Sequence, residues 1–165
     1  MAPAWRPAEM RHLAAIAAVA AAVHPAHPEG DDVFAERLRL YPEGCRVLAG
    51  DAVGGYVLSH PWVLGRPPAL DTLLGTLPTR PDTYYVHDLA LLPGLRGQGH
   101  GAAAVRHMIR LARRLALPTL SLVAVNGTDA FWRRFGFAPH ENPALAAKLA
   151  GYGDAAYMVL DLRST

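Results

Sequence analysis

Leu13, Ile16, Val19 and Val23 recur at spacings of three, three and four, the stripe of an amphipathic helix. The helix is predicted to open at Pro7 or Ala8 and to follow a short strand over 2–6. Asp31 or Asp32 is placed to cap a second helix that reaches Leu40. The turn YPEG then leads into two β-rich runs, 45–49 and 53–59, separated by Gly50-Asp51, which predicts a hairpin. Residues 60–82 are proline-rich and aperiodic, a long loop with at most one short helix at 70–77; such loops usually border a site. A strand is predicted at 84–92 and a helix at 101–115, with Val105, Met108, Ile109, Ala112 and Leu115 on its buried face. The near-continuous apolar run 119–125 reads as a buried strand. Asn126-Gly127 turns the chain, Thr128 or Asp129 caps a short helix, and Gly136 ends it. A small helix at 143–150 and a closing strand at 155–162 complete an α/β pattern, with a parallel βαβ unit at 84–125 in the middle of a mixed sheet.

The chain has 165 residues, 52% hydrophobic and 18% charged, with a formal charge of +2. That composition fits a single globular domain spanning 1–165. The charge is too small to imply nucleic-acid binding, and of sixteen basic residues only Lys148 is lysine. Cys45 is the sole cysteine, which excludes an internal disulfide and a thiolate metal cluster and leaves a packed thiol as the expectation. His24 and His27 lie in the turn HPAHPEGD with no third ligand nearby, so no metal site is read there. The run LAAIAAVAAAV resembles a signal peptide, but Glu9 interrupts its basic region and His24-Pro25 follows where small residues would be cleaved. It is also too short to span a bilayer. A core helix, no membrane association and a cytoplasmic location are the expectations.

The chemistry concentrates at RGQGHG, residues 96–101, between a strand and a helix start. Backbone N–H groups at such a junction converge on one point and, with the helix dipole, suit an anion, phosphate above all. Gly97, Gly99 and Gly101 remove the Cβ atoms that would hold a diphosphate away, and Arg96 adds a fixed cation. A nucleoside-triphosphate loop would continue Gly-Lys-Ser/Thr, whereas this one continues Gly101-Ala102-Ala103. A nicotinamide-dinucleotide site needs an acidic residue about 20 positions on, and no Asp or Glu occurs from Leu89 through Thr128.

LALLPGLRGQGHGAAAV resembles the acetyl-CoA-binding motif of the GNAT N-acetyltransferases, in which Arg/Gln-x-x-Gly-x-Gly/Ala follows a strand ending in proline. The stretch from Asn126 through Ala130, Phe131 and Trp132 to Phe135-Gly136-Phe137 is similar to the family's second signature, and the spacing between the two is right. The resemblance implies a mostly antiparallel sheet whose central parallel strands splay apart, flanked by helices. It implies acetyl-CoA as cofactor, with pantetheine pairing to the backbone of Leu89, Ala90, Leu91 and Leu92. Arg96, Gly97, Gln98, Gly99, His100 and Gly101 would wrap the diphosphate, and Asn126 and Phe131 would line the far side. A homodimer is only a family-level expectation.

Acetyl transfer requires a neutral amine. With an amine pKa near 10.4, about one molecule in 2,500 is neutral at pH 7, a deficit of about 4.6 kcal/mol, whereas departure of a thiolate costs only about 2 kcal/mol. A base therefore outranks an acid. Strand alternation puts Tyr85, His87, Leu89 and Leu91 on one face and Val86, Asp88 and Ala90 on the other. His87 suits the base, acting directly or through a water, and HDLAL is similar to the strand of arylalkylamine acetyltransferases that carries a histidine there. Tyr85 is a wall or relay, and a bulge would turn Asp88. Trp132 stands where the family has an acidic tyrosine, and an indole N–H is no practical proton donor. Tyr152 is the candidate replacement, unless the enzyme works without an acid. His60-Pro61-Trp62, the loop to Pro81 and Tyr41 are expected to wall the acceptor, which points towards a small aromatic or apolar primary amine. A protein N-terminus or lysine is the alternative acceptor, and a non-catalytic acyl-CoA sensor the alternative class.

Overall fold

The computed structural model describes residues 1–141 and 143–164. Strands β1 (Ala4–Pro7), β2 (Cys45–Ala49), β3 (Val53–Trp62) and β4 (Thr83–Leu91) pair antiparallel in turn. β5 (Thr119–Ala124) runs parallel to β4, and β7 (Ala156–Asp161) lies antiparallel between β5 and the two-residue β6 (Ala138–Pro139). The sheet order is β1-β2-β3-β4-β5-β7-β6.

One face is covered by α1 (Leu13–Val23) and α2 (Asp31–Leu40), which bury Ile16, Val19, Phe34 and Leu38 against Val47, Tyr56, Leu58 and Ala90. The other carries α3 (His100–Arg114), whose Val105, Met108, Leu111 and Ala112 pack on Val57, Tyr84, Val86, Leu120 and Leu122. Leu111 takes the core position expected of Leu115, which is the exposed C-cap of α3. Cys45 is buried, and burial pushes its thiol up to about 12, so it is a packed thiol.

Several boundaries shift for local reasons. Pro7 belongs to β1, a 3₁₀ turn at Met10–His12 intervenes, and α1 begins only at Leu13. The N-cap of α2 is Gly30, while Asp31 and Asp32 occupy the first turn, where their charge complements the dipole. Thr128 is the N-cap of α4 (Asp129–Arg133), but its hydroxyl donates to the Val125 carbonyl rather than capping. β3 runs three residues past its expected end. Its pairing with β2 stops at Cys45↔Leu58, so Pro61 pairs on one side only and its missing N–H disrupts no ladder on the other.

No helix forms at 70–77. That loop is instead tied to α2 by the buried Glu36, whose carboxylate accepts from the N–H groups of Leu74 and Gly75. The helix expected at 143–150 is α5 (Leu145–Leu149), followed by a 3₁₀ turn to Tyr152.

Candidate active site

β4 and β5 pair through three residues each, Tyr84↔Leu120 to Val86↔Leu122. Beyond that point β4 keeps pairing with β3 as far as Leu91, and β5 with β7 as far as Ala124. The two strands therefore part like a wedge. The wedge opens into a cleft of about 820 Å³, lined by Val86–Leu91 on one side and by Leu122, Val123, Val125 and Asn126 on the other.

The glycine loop closes one end of it. Gly97 and Gly99 have φ of +76° and +85°, a region L-residues enter at a cost, and Gly99 is the N-cap of α3. Beyond the adjoining residues of the chain, no protein atom lies within 4 Å of a Cβ built on either, so these glycines face open space. Gly101 is different: a Cβ there would meet the Phe131 ring at 3.1 Å. Phe131 lines the cleft, with the Arg134 guanidinium 5.1 Å from its ring centre. Arg96 also lines the cleft and donates from Nε to the Leu91 carbonyl, which pins the loop to the end of β4. Gln98 donates to the Gly94 carbonyl, and the His100 carbonyl accepts from the Trp5 indole. A deep cleft with an unpaired strand edge, open glycine amides and a helix N-terminus fits an extended chain ending in a diphosphate.

The opposite end is acidic and histidine-rich. The β3–β4 register shifts at Leu58/Ser59, where Leu58 faces Asp88 and Ser59 faces Val86, leaving His87 as the extra residue of a bulge. Because of it His87 and Asp88 both turn towards α1 and α2. Alternation had put Asp88 on the other face; the bulge corrects this. Asp88 accepts from the Tyr56 hydroxyl and lies 2.8 Å from His24 Nε2, and His24 Nδ1 in turn meets the Asn126 amide at 3.0 Å. Burial alone would depress the His24 pKa, but the hydrogen bond and charge of Asp88, with Glu29 behind it, hold it above its ordinary value.

His87 Nε2 is 2.7 Å from Glu29 Oε1, with the two side chains 3% and 7% exposed. A carboxylate only accepts, so Nε2 carries a hydrogen, and in the neutral ring Nδ1 holds the lone pair. Burial would raise the Glu29 pKa, yet His87 and the Asp71 N–H outweigh it and keep the carboxylate ionised below its usual range.

Other expected residues fall elsewhere. Tyr85 shares the His87 face but is sealed between Leu145 and Tyr157, outside the cleft. Tyr152 does line the cleft; its hydroxyl donates to the Pro68 carbonyl, and burial raises its pKa. Leu92 is drawn to β3, its N–H donating to the Gly54 carbonyl. Trp132 is buried against Phe131 and Phe137 at the cleft wall. Tyr41, His60, Pro61 and Trp62 do not line the cleft, because β3 continues straight through 60–62 and carries them past it. The histidine-rich end of the cleft is lined instead by Val23, His27, Leu70 and Tyr152. His27 Nε2 is 2.7 Å from the Tyr152 carbonyl, joining the two loops that cover it. Sequence reasoning missed Glu29 altogether, since nothing in the turn HPAHPEGD signals a partner for a strand residue 58 positions away.

The family model of the acetyltransferase (GNAT) family matches residues 10–137. The chain belongs to the GNAT acetyltransferases. The transferase fold of this chain recurs in solved structures of low identity. GphF, a GNAT-like decarboxylase in complex with isobutyryl-CoA, is 17% identical with a TM-score of 0.79, over 97% of this chain and 100% of that one. The NatC complex bound to Gag peptide and CoA gives 18% and 0.73, over 98% and 99%. Rv2747 from Mycobacterium tuberculosis, in complex with CoA and NLQ, gives 18% and 0.71, over 97% and 99%. No curated protein matches the sequence. As a member of the family this acetyltransferase uses acetyl-CoA, and the wedge and glycine loop suit that cofactor.

The sheet beside the cleft carries an acid liability. His60 is 1% exposed, and burial lowers its pKa to about 3. A histidine whose folded pKa lies below its unfolded one costs nothing above about pH 6.5 and destabilises increasingly as pH falls towards the folded value. Between pH 7 and pH 4 this group alone removes about 3 kcal/mol of stability. Urea denaturation at both pH values is expected to show that difference shrinking by about this amount in His60→Phe.

Proposed function

We propose that the protein acetylates a small primary amine with an aromatic or apolar body by direct attack on acetyl-CoA, with His87 as general base. The observation that carries this reading is the wedge itself: a glycine loop at a helix start at one end of a single cleft and a buried Glu29–His87 pair at the other. Acetyl-CoA supplies an activated acyl thioester. The amine must arrive with a lone pair, and His87 removes the proton that hides it. Its lone pair is on Nδ1, and with the side chain 3% exposed the proton reaches it through a water rather than by contact. Glu29 holds the ring by Nε2 and stabilises the imidazolium once formed.

Backbone groups of Leu89, Ala90 and Leu91 along the open edge of β4 align the donor, and Arg96 to Gly101 hold its diphosphate. A general acid is dispensable, since the thiolate leaves at a cost of about 2 kcal/mol at neutral pH. Tyr152 serves as a wall: its proton is committed to Pro68 and its pKa is raised. Val23, Leu70 and Tyr152 offer apolar surface to the body of the acceptor, while Asp88 and Glu29 attract its ammonium.

The test is thiol release from acetyl-CoA against a panel of arylalkylamines, polyamines, lysine peptides and peptide N-termini. The expected result is a kcat/KM for the best arylalkylamine at least tenfold above that for any peptide. A peptide preference would replace the acceptor, and saturable cofactor binding with no acetylation of any amine would favour a sensor.

A further inference from the structure

Five buried side-chain nitrogens lack a hydrogen-bond partner among the described residues, and four belong to one neighbourhood: Arg37 Nε and Nη2, His60 Nε2 and His87 Nδ1. The fold brings them together. His60 pairs with Tyr85 across β3 and β4, with ring centres 5.5 Å apart, so it stands diagonally from His87 on the same face. Arg37 reaches this face from α2, and its charge acts on His60, as does that of His87. Arg37 and His60 are each 1% exposed, and the His87 side chain 3%.

The protonation of each group is fixed by its other bond. Arg37 Nη1 donates to Glu36 and to the Thr72 carbonyl, which leaves the Nε–Nη2 edge of the fork as two unused donors. His60 Nδ1 lies 2.9 Å from the Pro61 carbonyl and so carries the hydrogen, making Nε2 an acceptor. With its pKa near 3, His60 stays neutral across the working range. Glu29 fixes His87 in the same way, making Nδ1 an acceptor. Two donors and two acceptors are the complement of one water molecule, whose oxygen accepts twice and whose hydrogens donate twice.

We propose that Arg37 and His60 hold a buried water against His87 Nδ1, and that they are positioning residues for the base through it. The inference rests on the reading of His87 as the base. The water locks the tautomer that points Nε2 at Glu29, and it is the neighbour through which a proton reaches Nδ1. For transfer, the acceptor ammonium replaces one Arg37 donor on the water oxygen; the water then gives one proton to Nδ1 and takes one from the ammonium, so the amine loses a proton, the imidazole gains one and the water is unchanged. The charged and titratable groups facing His87 are Glu29 from the α1–α2 connection, Arg37 and Glu36 from α2, His60 from β3, Tyr85 and Asp88 from β4, Tyr152 beyond β6, and His24 from the end of α1. The charges among them are paired: Arg37 with Glu36, His87 with Glu29 and His24 with Asp88.

A crystal structure at 1.5 Å or better, read with 15N NMR of the histidine side chains, tests this directly. A water within 3.2 Å of His60 Nε2, His87 Nδ1 and the Arg37 fork, and an Nε2–H tautomer for His87, are expected; their absence overturns the proposal. His60→Phe, which removes the acceptor, is expected to lower kcat about tenfold, leave the acetyl-CoA Kd unchanged and shift the His87 15N resonances, and His60→Gln to restore most of the rate. Unchanged kcat and resonances in His60→Phe overturn the proposal. If that variant does not fold, the wild-type map and spectrum decide alone. Should His87→Ala retain full activity, the base assignment fails, and the map still judges the water site separately.

Discussion

His87→Ala is expected to lower kcat by 10²- to 10⁴-fold, the span over which a positioned base acts, while leaving the acetyl-CoA Kd within about twofold. The split follows from the layout of the cleft. His87 sits on the bulge with its ring turned towards Glu29 and α2, whereas the glycine loop lies beyond the far end of β4. Truncating the ring therefore touches the proton and not the donor. Raising the pH should rescue the variant progressively, because the neutral amine fraction grows tenfold per unit below a pKa near 10.4. Stopped-flow thiol release across pH 6.5–9.5, with calorimetry for cofactor affinity, measures both halves. A proportional loss of affinity would mean that the ring serves the fold of the cleft rather than the chemistry.

The second large effect belongs to Gly99. At φ +85°, Asn and Asp are the side chains that tolerate the conformation best, and they differ only in charge. Gly99→Asn is expected to weaken acetyl-CoA binding by no more than about fivefold. Gly99→Asp sets a carboxylate beside the diphosphate at the positive end of α3 and is expected to weaken it by about 30- to 100-fold at low salt. Raising the ionic strength towards 1 M should shrink the difference between the two, because exposed charges are screened. Equal losses would indicate strain alone and would move the diphosphate away from the loop.

The glycine-loop end of the cleft was legible because its pattern is local: glycines at fixed offsets, a strand before them and a helix after them lie in one stretch of sequence. The histidine-rich end was not. His87 was visible as a titratable group on a strand, but its partner comes from the α1–α2 turn, and the bulge that turns Asp88 round depends on how β3 and β4 align, which no alternation within β4 encodes. Tyr41 and Trp62 were misplaced because aromatic residues beside a loop suggest a pocket wall, and the extra length of β3 overrode that. The missing helix at 70–77 has a similar cause. Its backbone is satisfied by Glu36, so the loop obtains from a buried carboxylate what helical bonds would otherwise provide.

The placement of β7 bears on how the molecule is made. This strand is synthesised after the other six of the sheet, yet it belongs inside it, between β5 and β6. Until it emerges, β5 must wait with a bare hydrogen-bonding edge and an apolar surface, an open invitation to strands from other nascent chains. Production should accordingly be less tolerant of lesions in residues 156–161 than of comparable changes in β1, whose loss uncovers only a margin.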